Sequence, residues 1–431
     1  MFMLVSPFRT RLGLGTVSLC AMVFSSAQAA GFIEDSKATV ESRTMYFNRD
    51  LRDGSSSNPQ GASKREESGQ GFILNFQSGY TQGPLGFGVD ALGMVGFQLD
   101  SSPERSGSGL LPSSGNNPRG SKDQYAKFGA AGKVRYSKTV LKYGAMMPDV
   151  PLLKYNDGRL LPNMFNGGWL TSEDLHDFKF LAARLDHYTA RDSTDSQDIR
   201  LNCKNKRFTC DTTGNHFDMY GVDYKLSPKW TVQYHYAELE NVYRQHFFGL
   251  LGNENIGPGV ASADLRVFKS DDEGSARANE IDNRAISTMF GYALGGHKVA
   301  FGWQRMLGDS SMPYLDGSNP YLVNYIQIND FAAAQERSWQ LRYDYDFKTL
   351  GVPGLSFLTR YVNGDNIKVV GSNDEGKEWE RDSELKYVVQ SGTFKDLSLR
   401  LRNATFRSNY EKFARDVDET RVIVSYNFSV L

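Results

Sequence analysis

The sequence predicts an all-β chain closed into a transmembrane antiparallel β-barrel, with some of its loops folded inward. Three observations predict it. An export leader opens the chain. Side-chain character then alternates with period two over most of the remainder. No later stretch is apolar for the 18 or more residues that a spanning helix needs.

The leader comes first. Arg9 and Arg11 precede an apolar run over residues 12–24, and small residues follow it. Ala27-Gln28-Ala29 fits the A-x-A cleavage pattern, and the apolar run is too short to anchor the chain as a helix. Residues 1–29 are therefore expected to be removed on export, leaving residues 30–431 as one domain.

The alternation carries the fold class. In "GFGVDALGMVGFQLD", Phe87, Val89, Ala91, Val95, Phe97 and Leu99 share one face, against Gly88, Asp90, Met94, Gln98 and Asp100. "WTVQYHYAEL" sets Trp230, Val232, Tyr234 and Tyr236 against Thr231, Gln233 and His235. "SWQLRYDYDF" and the final "RVIVSYNFSVL" repeat the pattern. Tight turns such as "LSPKW" and "GVPG" alternate with long polar segments such as "SPERSGSGLLPSSGNNPRGSKD". Short turns on one rim and long loops on the other are the signature of an outer-membrane barrel. Trp230, Trp339, Tyr361 and Tyr426 sit where interface aromatics belong. The mature length leaves room for roughly 16–18 strands, enough for a water-filled lumen. A soluble sandwich or propeller of this length would split into domains or show repeats, and neither a linker nor a tandem repeat is present.

Composition excludes several functions. A net charge of −1 does not suit a nucleic-acid binder. The six histidines show no H-E-x-x-H spacing, and G-x-S-x-G does not occur. "RDSTDSQD" and "KSDDEGSARAN" lack the spacing of a calcium loop, so no metal and no cofactor is expected. His216 and Asp218 would serve a barrel enzyme acting on lipid or peptide, the rival to a channel; a soluble ligand-binding β-protein is a third class. Cys203 and Cys210, in an exported chain, are expected to form one disulfide.

The face opposite the apolar one is rich in fixed cations. "LRLRNA" places Arg400 and Arg402 on one face and Leu399 and Leu401 on the other. Lys133 and Arg135 share a face in "GKVRYS", Arg360 stands between Thr359 and Tyr361, and Arg421 opens the last strand. Closure brings the first and last strands together, so Arg49 approaches the C-terminal arginines. With leucines in lipid and arginines in the lumen, these charges form successive stations for a carboxylate, which arginine grips bidentately without losing its proton. Residues 144–169 interrupt the strand pattern with Pro, Gly and apolar residues. They are expected to fold inward and constrict the lumen, with Asp157 or Arg159 at the narrowest point.

Taken together and in order, "GFIEDS", "YFNRD", "GYTQGPLGFGVDALG", "GKVRYSKTVLKYG", "RLLP", "AELENVYRQHFFG", "GVPGLSFLTRYVNGDNI" and "LKYVVQSGTFKDLSLRLRNATFR" resemble the OprD family of substrate-specific outer-membrane porins of pseudomonads and their relatives. The resemblance implies 18 antiparallel strands in the outer membrane of a Gram-negative bacterium, surrounded by lipid and lipopolysaccharide, and assembly as a homotrimer, labile in some members. It implies passive uptake of small carboxylate-bearing solutes: basic amino acids, small peptides, or aromatic and other monocarboxylates. The basic row then comprises Arg49, Lys133, Arg135, Arg159, Arg360, Arg400, Arg402 and Arg421. A second inward loop, "GDSSMPYL", would bring Asp309 and Ser310 to face the arginines across the eyelet.

Overall fold

The structure is a computed structural model that describes residues 31–52, 63–115, 120–410 and 414–431. The expected leader lies outside the described residues. The rest is a closed antiparallel barrel of 18 strands. In chain order the strands are β1 Lys37–Leu51, β2 Lys64–Gln77, β3 Leu85–Asp100, β4 Gln124–Tyr136, β5 Thr139–Met146 and β6 Met164–Ser172. There follow β7 Phe178–Thr189, β8 Phe217–Ser227, β9 Trp230–Leu239, β10 Tyr243–Ile256, β11 Gly259–Asp272 and β12 Asp282–Leu294. The last six are β13 His297–Leu307, β14 Arg337–Asp346, β15 Leu355–Lys368, β16 Glu375–Val388, β17 Ser398–Ser408 and β18 Val417–Ser429. Each pairs with its neighbours in sequence, and β1 closes on β18 from Thr39↔Ser429 to Leu51↔Val417. Closure leaves no wall strand with an unpaired edge, which is what a sheet needs in a medium without water.

The alternation read from the sequence sorts the faces. On β3, Phe87 and Val89 are exposed to the outside while Gly88 and Asp90 are buried inside. On β17, Leu399 and Leu401 are exposed, and Arg400 and Arg402, alternating with them, point to the lumen. On β13, Val299, Phe301 and Trp303 face out between buried Ala300, Gly302 and Gln304.

The two rims differ as expected. One carries two-residue turns at 137–138, 228–229, 257–258 and 295–296. Gly257 adopts φ +58, and Pro258 supplies the negative φ that follows it in a II′ hairpin. The other rim carries the long loops 101–123, 147–163, 190–216 and 308–336. These do not stand up in water. Leu110, Leu111, Leu160 and Leu161 are buried against Met45, Phe47, Ile73 and Met94 of the inner wall. Met312, Leu315, Leu322 and Ala332 join Leu152, Leu153, Phe217, Leu239 and Phe247 in a second interior cluster. Burial of each leucine stabilises the inward fold by roughly 1.5–3 kcal/mol. The segment after β3 reads as long and polar in the sequence, yet Leu110 and Leu111 carry its described residues 101–115 inside.

An outward residue at mid-strand should tolerate no charge. Phe301→Arg is expected to cost about 2–4 kcal/mol of barrel stability in urea titrations of folding into lipid vesicles. A change below about 0.5 kcal/mol, as expected for an exposed residue in water, would contradict a lipid-facing position there.

Candidate functional site

Two interior cavities meet in the lumen. One, of about 320 Å³, is lined by Asn156, Arg191, Asn319, Tyr325 and Gln327 among others. The other, of about 180 Å³, is lined by Glu41, Arg43, Arg400, Ile423 and Ser425 among others. They share five residues: Asp157, Gly158, Arg159, Arg402 and Arg421. That shared ring joins the two cavities where loop 147–163 crosses to β17 and β18.

Each wall side chain arrives by strand register. Arg421 lies opposite Phe47 on β1 and opposite Arg402 on β17. Arg402 lies opposite Glu384 on β16, and Asp382 lies opposite Arg360 on β15. Like charges directly across strands repel, so Arg402 beside Arg421 needs support. Glu384 provides it to Arg402 (Nε to Oε2, 3.1 Å) and Arg400 (Nε to Oε1, 3.4 Å). Glu419 supports Arg421 (Nε to Oε1, 2.6 Å) and Arg49 (Nη2 to Oε2, 2.6 Å). Arg360 donates through Nε and Nη2 to Asp382, at 2.9 and 2.7 Å.

Two arginines hold the loops at the ring. Arg43 grips Asp157 bidentately, at 2.6 and 2.9 Å, and donates to the Arg159 carbonyl at 3.0 Å. Arg421 is only 2% exposed. Its Nη1 donates to the Gly158 carbonyl and its Nη2 to the Gln327 carbonyl, both at 3.2 Å. One guanidinium thus ties loop 147–163 to loop 308–336. Loop 308–336 is fixed further by an acidic ladder on β16. Glu380 accepts the backbone N–H groups of Ile328 and Asn329, each at 2.8 Å. Glu378 accepts Asn329 Nδ2 and Asp382 accepts the Gln327 N–H.

Arg159 differs from the rest of the row. Its Nε donates to the Ser108 carbonyl and its Nη1 to the Gly158 carbonyl, and its guanidinium lies 4.6 Å from the Phe47 ring centre. Among the described residues no carboxylate comes within ion-pair distance of it. Burial, then repulsion from Arg421 and Arg191, push its pKa down. Glu419 opposes that push, and arginine keeps its proton regardless. Arg191 donates to Asn156 Oδ1 at 3.1 Å and likewise has no carboxylate partner among the described residues.

The remaining expected residues lie elsewhere. Lys133 donates to Asp90 at 2.6 Å and to the Ser78 carbonyl at 2.7 Å, near the short-turn rim. Arg135 sits 4.2 Å over the Tyr80 ring beside it. Together they form a separate cluster at the far end of the lumen.

Asp309 and Ser310 do not reach the arginines. Asp309 is exposed, binds Lys368 Nζ at 3.0 Å, and lines with Ser310 an open cavity of about 720 Å³ that none of the basic row lines. The segment of this loop that reaches the arginines is Tyr325, Ile326 and Gln327, because the interior leucines carry the chain past Asp309 before it descends.

Cys203 and Cys210 are joined, with Cα atoms 5.1 Å apart. The loop they close docks Lys204 and Arg207 on buried Asp330 of loop 308–336. Burial opposes the Asp330 charge, but Arg207 and Lys204 outweigh it and hold its carboxyl below the usual range.

The sequence reading missed Arg43, Arg191, Glu419 and the β16 ladder. Glu378, Glu380, Asp382 and Glu384 recur every second residue, the same signal that singled out Arg400 and Arg402.

A closed barrel with an apolar exterior, a charged interior and loops that narrow it defines an outer-membrane channel. The comparisons agree. The family model for outer membrane porins of the OprD family matches residues 30–430, and the chain belongs to that family. The porin-like protein GalP of Pseudomonas putida is 37% identical over 418 residues, covering 96% of this chain and 97% of that one. The crystal structure of OccK10 (OpdN) from Pseudomonas aeruginosa is 56% identical with a TM-score of 0.80, over 92% of this chain and all of that one. That of OpdK with vanillate, from the same organism, is 39% identical with a TM-score of 0.85, over 93% of this chain and all of that one. These relatives are channels, not enzymes. Asp218, the residue of the rival reading, gives both its oxygens to Arg184, at 2.7 and 2.6 Å.

Removing the Arg43 grip should loosen loop 147–163 in the lumen. Asp157→Asn is expected to raise the mean single-channel conductance in planar bilayers and to add frequent current steps. Unchanged current and noise would assign the loop's position to Leu160 and Leu161 alone.

Proposed function

We propose that this porin takes up small carboxylate-bearing solutes by passive diffusion along its basic row. The observation that carries the reading is Arg159, a guanidinium in the ring shared by the two cavities and without a carboxylate partner among the described residues. A solute carboxylate would supply the missing counter-charge. It would enter from the long-loop side, meet Arg191 and Arg159, pass Arg402 and Arg421, and move to Arg400 toward the short-turn side. Lys133 and Arg135 stand near that exit. Stations of this kind bind strongly enough to attract and weakly enough to release, because most arginines are already half satisfied by Glu384, Glu419 or Asp382. OpdK, similar in sequence and structure, has been solved with vanillate, an aromatic carboxylate.

Arg159→Gln is expected to raise the half-saturating carboxylate concentration about tenfold in liposome-swelling assays, as for the loss of one charge-assisted contact. Neutralising Arg400 and Arg402 should lower the anion preference measured from reversal potentials. If neither variant changes selectivity or uptake, the row only balances lumenal acids. A swelling panel of basic amino acids, small peptides and aromatic acids would then identify the solute class.

A further inference from the structure

The outer wall carries a second basic feature, on the opposite side of the sheet from the lumen. Lys269 on β11, Arg284 on β12, Arg305 on β13 and Arg337 on β14 occupy four consecutive strands. Each points outward, because its sequence neighbours are buried inside: Phe268 and Ser270, Asn283 and Ala285, Gln304 and Met306, Ser338. Each lies within the last few residues of its strand at the long-loop rim. Below Arg305 and Arg337 stand Trp303 and Trp339, directly opposite one another and part exposed. A tryptophan pair at the edge of an apolar band marks the level of lipid headgroups.

The register makes this row costly unless something anionic covers it. Lys269 is directly opposite Arg284, and Arg305 is directly opposite Arg337. Like charges in that position destabilise a sheet. The outer two are compensated: Lys269 by Asp271 at 3.1 Å and Arg337 by Asp365 at 2.9 Å. Asp282 lies on β12 two residues nearer the rim, opposite Asp271. The central two are not compensated. Among the described residues neither Arg284 nor Arg305 has a carboxylate within ion-pair distance, and the buried Nε of Arg305 has no hydrogen-bond partner. Elsewhere on the outer wall Arg184 is held by Asp218, and Arg407 by Asp416 and Asp418.

We propose that Arg284 and Arg305, flanked by Lys269 and Arg337, form a site for a phosphate group on the headgroup of outer-leaflet lipopolysaccharide. The charge is complementary, the height matches the headgroup layer, and guanidinium pairs recognise phosphate through parallel N–H donors. Diagonal neighbours on adjacent strands lie about 7–8 Å apart, a span that two arginine side chains can close around one phosphate. Occupation would remove the cross-strand repulsion and leave the lumen untouched.

The test uses the folded barrel in zwitterionic detergent and native mass spectrometry. The probes are rough lipopolysaccharide, the same glycolipid stripped of its phosphates, and inorganic phosphate. The phosphorylated lipid is expected to bind at least about tenfold more tightly than the stripped one, the worth of one charge-assisted contact. The double variant Arg284→Gln with Arg305→Gln should lose that preference and keep its conductance, while Arg184→Gln should keep both. Equal binding of the two lipids by the unmodified protein would overturn the site, and that comparison holds even if the double variant fails to fold. Retained preference in a folded double variant would overturn it as well. Displacement of the lipid by millimolar inorganic phosphate would reassign the residues to a free anion.

Discussion

The ring shared by the two lumenal cavities depends on the arginine at 421. Its position is set by closure of the barrel, since β18 brings it opposite Phe47 only when the last strand pairs with the first. From there a single planar group donates to a wall carboxylate and to one carbonyl on each of two loops. The five donors of a guanidinium fit this task, and a lysine would not span three acceptors in fixed directions. Closing the wall and shaping the pore are therefore one event. A register slip of one residue would turn Arg421 into lipid and break its bonds to both loops.

Charge in the lumen is arranged in two ladders with different duties. The basic side chains come from β1, β15, β17 and β18, the acidic ones mainly from β16. Glu380 gives both oxygens to loop 308–336 and Glu378 divides between Asn329 of that loop and Tyr410, so neither forms an ion pair with an arginine of the row. Asp382 divides between the Gln327 backbone and Arg360. Glu384 serves two arginines at once, at distances longer than a tight pair. Acids that anchor the loops leave fewer carboxylates in direct contact with the arginines.

Much of this was legible in the chain. Period-two patterning gave the barrel, its lipid face and the lumenal direction of Arg400, Arg402 and Arg421, because a strand offers only two faces. The same logic would have found Arg43, in phase with Arg49 through Met45 and Phe47, and the β16 ladder. The loops were legible only in kind. Of residues 144–169 only 147–163 turn inward, because residues 144–146 and 164–169 belong to the wall strands β5 and β6, and within that shorter loop Asp157 and Arg159 meet the wall. Loop 308–336 did not disclose which of its residues descends. That depends on where Met312, Leu315 and Leu322 find apolar partners on strands far away in sequence, and no periodicity records it. Asp309 therefore stays at the rim while Gln327 reaches the arginines.

Crowding so many guanidinium groups still requires an explanation, since each added carboxylate would quench the field it supports. Phe47 supplies one. It is fully buried, and the guanidinium carbons of Arg159, Arg421 and Arg49 lie 4.6, 5.3 and 5.5 Å from its ring centre. The negative face of an aromatic ring attracts a cation by roughly 0.5–2 kcal/mol and carries no net charge. The ring thus stabilises neighbouring arginines without neutralising them, where an acid at the same place would form a closed ion pair. Leu160 and Leu161 pack on the same inner wall and exclude water from it, which strengthens the attraction. The apolar contacts that fold the loop inward and the electrostatics that hold Arg159 without a carboxylate partner among the described residues therefore rest on one side chain.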